Sequence, residues 1–208
     1  MHHPDASRAA VSALGDPMPI VRATAVAAIV SLPSSESASS LMPLLADKDE
    51  FVRREAAYAL GRTKSRAAVE RLSEVLLSDK EDGVRGAAAV ALGDIGDASA
   101  VVALSNVLNP QSLVPGKKKK GKREQNAFVS RSAARALGQI GNRAGTPALL
   151  LVLQNETAGD DLRREAAEAL GRIKDPSTLP ALRTAMTARD PYLAQAATEA
   201  VRRISNNQ

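Results

Sequence analysis

Residues 51–61 read FVRREAAYALG, and five other stretches repeat the pattern. They are IVRATAVAAIV at 20–30, GVRGAAAVALG at 83–93, FVSRSAARALG at 128–138, DLRREAAEALG at 161–171 and, weakened, YLAQAATEAVR at 192–202. An internal repeat constrains a fold more than any single motif. Each copy is one supersecondary unit that cannot bury its apolar face alone, so neighbours must stack. The steps from Arg22 to Arg53 and from Arg53 to Arg85 are 31 and 32 residues. A period that short holds two helices and tight turns.

The hydrophobic residue near the end of each motif serves as a ruler: Ile29, Leu60, Leu92, Leu137 and Leu170. Twelve, fifteen and sixteen residues later stand Leu41/Leu44/Leu45, Leu72/Val75/Leu76, Leu104/Val107/Leu108, Leu149/Val152/Leu153 and Leu182/Ala185/Met186. Offsets of three and four put these side chains on one helical face. Each repeat is therefore two amphipathic helices, A then B. The A helices are predicted at 5–14, 36–46, 66–78, 98–109, 144–155 and 176–188. The B helices are predicted at 19–31, 50–61, 82–93, 126–138, 160–172 and 190–205. Asp16-Pro17 breaks the first pair, since Pro does not continue a helix. Pro33 and the serines Ser34, Ser35 and Ser37 make the next turn. Gly61, Gly93, Gly138 and Gly171 are expected to close B helices in the left-handed conformation.

The expected fold is all-α: a right-handed α-solenoid of six antiparallel helix pairs, one domain across residues 1–208. Composition agrees. Hydrophobic residues make up 44% of the chain but aromatics only 2%, with no Trp. Ala and Leu therefore do the packing, which suits closely spaced helices. The columns Ala25, Ala56, Ala57, Ala88, Ala133, Ala166 and Ala197 allow close approach. Cysteine is absent, which excludes disulfides, thiol nucleophiles and thiolate metal sites. No apolar run approaches the roughly 18 residues of a membrane span. The start, MHHPDASRAA, lacks a signal-peptide core. A cytoplasmic location is favoured on that ground, and the early helix suits a segment cut from a longer precursor.

The stretches VRREAAYALG at 52–61, VRGAAAVALGDIGD at 84–97, SRSAARALGQIGN at 130–142 and LRREAAEALGRIKDP at 162–176 resemble the HEAT-repeat family, in the short form related to phycobilin lyase subunits. The resemblance spans nearly the whole chain. It implies that the Arg after the first hydrophobic residue of each B helix pairs with acids in the A–B turn of its own or a neighbouring repeat. That falls on Arg22, Arg53, Arg85 and Arg163, with Asp16, Asp47, Asp49, Asp79, Asp82, Asp160 and Asp161 as acids. Ser130 and Ala194 depart from the pattern, so breaks are expected in repeats four and six. The resemblance also implies that the B helices line a concave, protein-binding side. The candidate groove is Tyr58, Ala87 and Val90 with Arg54, Arg62, Arg131 and Arg135 around them. Tyr and Arg are frequent anchors of interfaces, so a partner peptide or helix is the expected occupant.

Between Leu108 and Val129 the A–B step is about a dozen residues longer than elsewhere, across a basic loop at 109–126 (NPQSLVPGKKKKGKREQN). Lys117, Lys118, Lys119, Lys120, Lys122 and Arg123 carry six positive charges; without them the formal +5 falls to −1. The alternative function is thus contact with nucleic acid, anionic lipid or an acidic protein through this loop, by phosphates rather than bases. The only histidines are His2 and His3. No HExxH, Ser-His-Asp set or phosphate-cradling loop occurs, and HEAT-like hydroxylases that hold iron use repeated His-Glu pairs, which this chain lacks. Glu55, Glu165 and Glu168 read as a solvated face. The expectation is a non-enzymatic adaptor that uses no cofactor. Resemblance to phycobilin lyase subunits keeps a chromophore-lyase role as a lesser alternative, although bilin pockets are aromatic-rich.

Overall fold

The computed structural model describes residues 4–30, 34–108 and 126–206. Two compact units make up the chain, Met1–Ala100 and Val101–Gln208. Unit 1 holds α1 (Pro4–Ala13), α2 (Pro19–Ile29), α3 (Ser34–Leu41), α4 (Glu50–Thr63), α5 (Val69–Ser78) and α6 (Asp82–Ile95). Unit 2 holds α7 (Val101–Leu108), α8 (Ala127–Ile140), α9 (Thr146–Gln154), α10 (Asp160–Ile173), α11 (Leu179–Ala185) and α12 (Pro191–Ser205). Odd-numbered helices are the predicted A helices and even-numbered ones the B helices. The described residues contain no strand, and the fold is an all-α solenoid. None of their helices is long and apolar enough to cross a membrane.

Four A helices enter through one turn of 3₁₀-helix, at Arg66–Ala68, Ala98–Ala100, Arg143–Gly145 and Pro176–Thr178. In α3 the tight turn comes last, at Met42–Ala46, where Pro43 offers no N–H to an α-helical bond. The serines expected to form the preceding turn instead begin α3. Ser37 lies inside it, buried, and its hydroxyl donates to the Ile29 carbonyl at 2.9 Å. That satisfies one of the orphan carbonyls at the end of α2. Side-chain caps start several B helices. Asp49 accepts from the Phe51 and Val52 N–H groups, Asn126 from Phe128 and Asp190 from Leu193.

The ruler residues are at most 1% exposed, and every member of the alanine columns is buried. The A-helix faces follow the predicted register with two exceptions at helix ends. Met186 is exposed, and Leu108 is half-buried.

The glycines play a different part from the one expected. α4, α6, α8 and α10 each run two residues past Gly61, Gly93, Gly138 and Gly171. The left-handed caps are Lys64, Gly96, Gly141 and Lys174, with φ from 51° to 74°. Gly61, Gly138 and Gly171 are interior contact points instead. A Cβ on them would lie 2.7, 2.7 and 2.8 Å from the Cα atoms of Ala91, Ala169 and Ala200 respectively. Only a missing side chain lets neighbouring B helices approach that closely, backbone against backbone.

Candidate functional site

Chemistry on this scaffold starts with its arginines. Arg22 of α2 donates from Nε and Nη2 to the Asp47 carboxylate, at 2.7 Å each. Its Nη1 donates to the Asp16 and Pro17 carbonyls at 2.8 and 3.2 Å. Arg53 of α4 repeats the arrangement one repeat later, reaching Asp79 at 2.7 and 3.1 Å and the Asp47 carbonyl at 2.9 Å. Both pairs are bidentate, the geometry in which a guanidinium binds a carboxylate best. The bonds to Asp47 raise the Arg22 pKa, and those to Asp79 raise that of Arg53. Burial alone would push the Asp47 carboxyl up. The bonds from Arg22 and the Asp49 N–H outweigh it and hold Asp47 below its ordinary value.

Arg85 and Arg163 make contacts inside their own repeats. Arg85 donates to the Leu76 carbonyl at 3.0 Å and to Asp82 at 3.2 Å. Arg163 donates to the Leu153 carbonyl at 3.1 Å and stands 3.6 Å from Asp160. The physical reason is plain for Arg163. Asp47 and Asp79 stand two residues before the N-caps Asp49 and Glu81. The same position before the cap Asp190 is Ala188, so no acid awaits Arg163 there.

On the B-helix face of unit 1, Arg54, Tyr58 and Arg62 follow one another at i, i+4 and i+8 along α4, and so share a stripe. The Arg54 guanidinium lies 5.0 Å from the Phe51 ring centroid and 3.5 Å from Glu55. Tyr58 and Val90 are half-buried, and Arg62 is exposed. Ala87 is fully buried and offers no surface to a partner. Its column lies inside the packing of α6.

On the B-helix face of unit 2, the arginines are engaged within the unit. Arg135 of α8 donates to both oxygens of Glu165 on α10, at 3.0 and 2.6 Å, and the bond to Glu165 raises its pKa. Arg131 reaches Asp161 at 3.0 Å. Asp161 also takes Arg164, which lies 3.4 Å from Asp190 and 5.3 Å from the Tyr192 ring centroid. Glu165 is therefore no solvated residue. It is 7% exposed, with Arg172 as a second, longer partner at 3.9 Å. A 30-residue spacing to an Arg in the preceding B helix was the available signal, one repeat apart on the same face. Beyond this network an open cleft of about 390 Å³ lies between α10 and α12, lined by Arg164, Glu168, Tyr192, Gln195, Glu199 and Arg203. Among the described residues no group of three or more His, Cys, Asp or Glu side chains is placed to hold a metal ion. Lys117, Lys118, Lys119, Lys120, Lys122 and Arg123, like His2 and His3, lie outside the described residues.

A family model for HEAT repeats matches residues 7–93, 49–114 and 122–206. Among curated proteins, the deoxyhypusine hydroxylase of Gallus gallus is 44% identical over 64 residues, which is 31% of this chain and 21% of that protein. This chain thus spans about a fifth of that relative's length. Among solved structures, the complex of CpcE and CpcF of phycocyanin lyase from Nostoc sp. PCC7120 aligns over 92% of this chain and 74% of that one, with a TM-score of 0.65 and 23% identity. Human deoxyhypusine hydroxylase in complex with glycerol aligns over 99% and 86%, with a TM-score of 0.53 and 20% identity. At such identities the structural likenesses establish the fold alone.

The sequence relative corrects one expectation. Missing catalytic motifs point to a non-enzyme, yet an enzyme carries the nearly half-identical stretch. Residues that make helices stack and residues that do chemistry occupy different positions, so one repeat pattern serves both kinds of protein. Membership of this fold does not place the chain among non-enzymes.

Proposed function

The chain belongs to the HEAT-repeat family, and we propose that it holds another protein on the B-helix face of unit 1, around Tyr58. One observation supports this face over its counterpart. In unit 2, Arg131 and Arg135 are paired with Asp161 and Glu165. In unit 1, the exposed Arg62 stands one turn from the half-buried Tyr58 with no ion pair among the described residues. A ring flanked by small side chains and an uncommitted guanidinium has the composition of an interface anchor. Val90 and Phe51 extend the apolar part, and Arg54 borders it. The occupant is a peptide or helix with an apolar side chain for Tyr58 and an acceptor for Arg62.

The test is affinity capture from the native source with wild type and with Tyr58→Ala/Arg62→Glu, followed by titration of the recovered protein. Both residues lie outside the buried core, so the melting curve should not change. The variant should lose the partner at least tenfold. Equal affinity would remove this face from consideration.

A second reading rests on the charge distribution. All of the chain's net positive charge resides in Lys117–Lys120, Lys122 and Arg123. If these residues bind a polyanion, binding weakens steeply with salt and vanishes when residues 111–124 are deleted. Binding at the Tyr58 face should survive that deletion.

A further inference from the structure

The turn that leads out of α4 differs in charge from its counterparts. Residues 62–66 read RTKSR, three bases and no acid. The same five positions read DIGDA at the end of α6, with two acids and no base. At the end of α8 they read QIGNR, with one base, and at the end of α10 RIKDP, with two bases and Asp175. Bases near a helix C-terminus meet the negative end of its dipole. That accounts for a base in any repeat. It does not account for three at α4 and none at α6.

Exposure follows the bases. Arg62, Lys64 and Arg66 are exposed, whereas Thr63 and Ser65 between them are half-buried. The Thr63 hydroxyl donates to the Leu60 carbonyl at 2.8 Å, so it is spent on the helix end. Arg62 and Lys64 enter no ion pair among the described residues. Arg66 stands 3.3 Å from Asp97 with its side chain 85% exposed, and pairs that open to water contribute little. Asp94, exposed at the position of Arg62 on α6, marks where the basic surface ends. Tyr58 stands one turn before Arg62 on α4, so the basic turn continues the Tyr58 stripe.

The number of charges selects the class of partner. A duplex held through its phosphates engages about six to ten of them. An anionic bilayer is recognised by clusters of about four to eight bases. The bases of this turn are too few for either, and they suit a short acidic segment of protein. Guanidiniums such as those of Arg62 and Arg66 bind a carboxylate through two parallel hydrogen bonds. Lys64 adds a point charge between them.

We propose that residues 62–66 form a docking edge for an acidic peptide, whose carboxylates pair with Arg62, Lys64 and Arg66 while an apolar neighbour rests on Tyr58. This edge presupposes the partner held at Tyr58 and gives that partner its charge.

The probe is an acetylated, amidated peptide with a leucine and a run of glutamates. It is titrated into the Tyr192→Phe protein, where Tyr58 is the remaining tyrosine. Tyr58 emission should change and saturate. Carbodiimide joins a bound glutamate to a neighbouring lysine amine, so mass spectrometry should find the peptide on Lys64. Lys64→Gly/Arg66→Ala should raise the midpoint by at least about fivefold. Glycine accepts the left-handed φ of 51° at position 64 without strain, and Arg66 is exposed, so the helical circular dichroism should not change. The variant keeps Tyr58 and Arg62. An equal midpoint in the two proteins therefore overturns the acidic edge and leaves the Tyr58 reading standing. Cross-links confined to Lys117–Lys120 and Lys122, with Tyr58 emission unchanged, also overturn it. So does an equal Tyr58 response to the same peptide with lysines in place of its glutamates.

Discussion

Unit 1 ties its repeats together underneath, and unit 2 ties them together on the face. In unit 1 the B-helix arginines make the links Arg22–Asp47 and Arg53–Asp79, with every partner no more than 9% exposed, and the exposed Arg66 adds a 3.3 Å tie to Asp97 between A-helix turns. In unit 2, Ser130 replaces the ladder arginine of α8, and Arg163 has Ala188 where an acid would stand. The links move to Arg131–Asp161, Arg135–Glu165 and Arg164–Asp190, where the arginines are roughly a third to more than half exposed. Both solutions couple consecutive repeats. They differ in how far water and salt reach them, and in what they leave over for a partner. Unit 1 buries its ladder charges and leaves Arg62 without an ion pair among the described residues, whereas the face arginines of unit 2 are engaged within the unit.

If this contrast is right, the largest effect belongs to Arg53. Arg53→Ala strands the buried Asp79 carboxylate and should cost about 3 kcal/mol. Arg163→Ala, without a cross-repeat acid to strand, should cost about 1 kcal/mol. The chain's two tyrosines lie one in each unit, so urea unfolding followed by tyrosine fluorescence separates them. Tyr192→Phe leaves Tyr58 to report on unit 1, and Tyr58→Phe leaves Tyr192 to report on unit 2.

Arg135→Ala comes next, at about 1–2 kcal/mol, because Glu165 is buried although its partner is not. In about 0.5 M salt, where the Debye length is about 4 Å, the gap between wild type and this variant should narrow. The Arg53→Ala gap should hold. Equal salt sensitivity of both would erase the distinction between buried and exposed links. Ala188→Asp tests it from the other side. It supplies the acid at the register of Asp47 and Asp79, and should stabilise unit 2 by about 1 kcal/mol. The gain should disappear in the Arg163→Ala background.

A pH dependence is expected at Asp47. Its folded pKa lies below its ordinary value, so folding favours the carboxylate. The stabilisation is complete above the unfolded pKa of about 3.9 and is lost as the pH falls through the lower folded value. Melting temperatures of wild type and Asp47→Asn should therefore differ by a constant amount from pH 5 to 8 and converge in stronger acid. A gap that changes near neutral pH would assign the effect to another group.

Much of the architecture was legible in the chain. The 3.6-residue period, the ruler leucines and the alanine columns placed twelve helices within a few residues of their ends. The N-cap residues Asp49, Asn126 and Asp190 stand where side-chain acceptors are expected. That Arg22 and Arg53 pair with acids of the A–B turns was implied by the family resemblance; that both reach the next repeat, at Asp47 and Asp79, came from the structure. Less was legible of the surface. Ala87 and Glu165 share a repeat position with the exposed Thr24, yet both are buried.

The order of residues alone settled which side chains recur, and so which faces had to stack. Local forces act at fixed spacing and can be read along one chain. Only the packed molecule decided that the glycines are contact points rather than caps, and that the arginines of unit 2 are occupied. Those outcomes depend on distances between helices some thirty residues apart, where a gap of one methyl group determines whether two backbones meet.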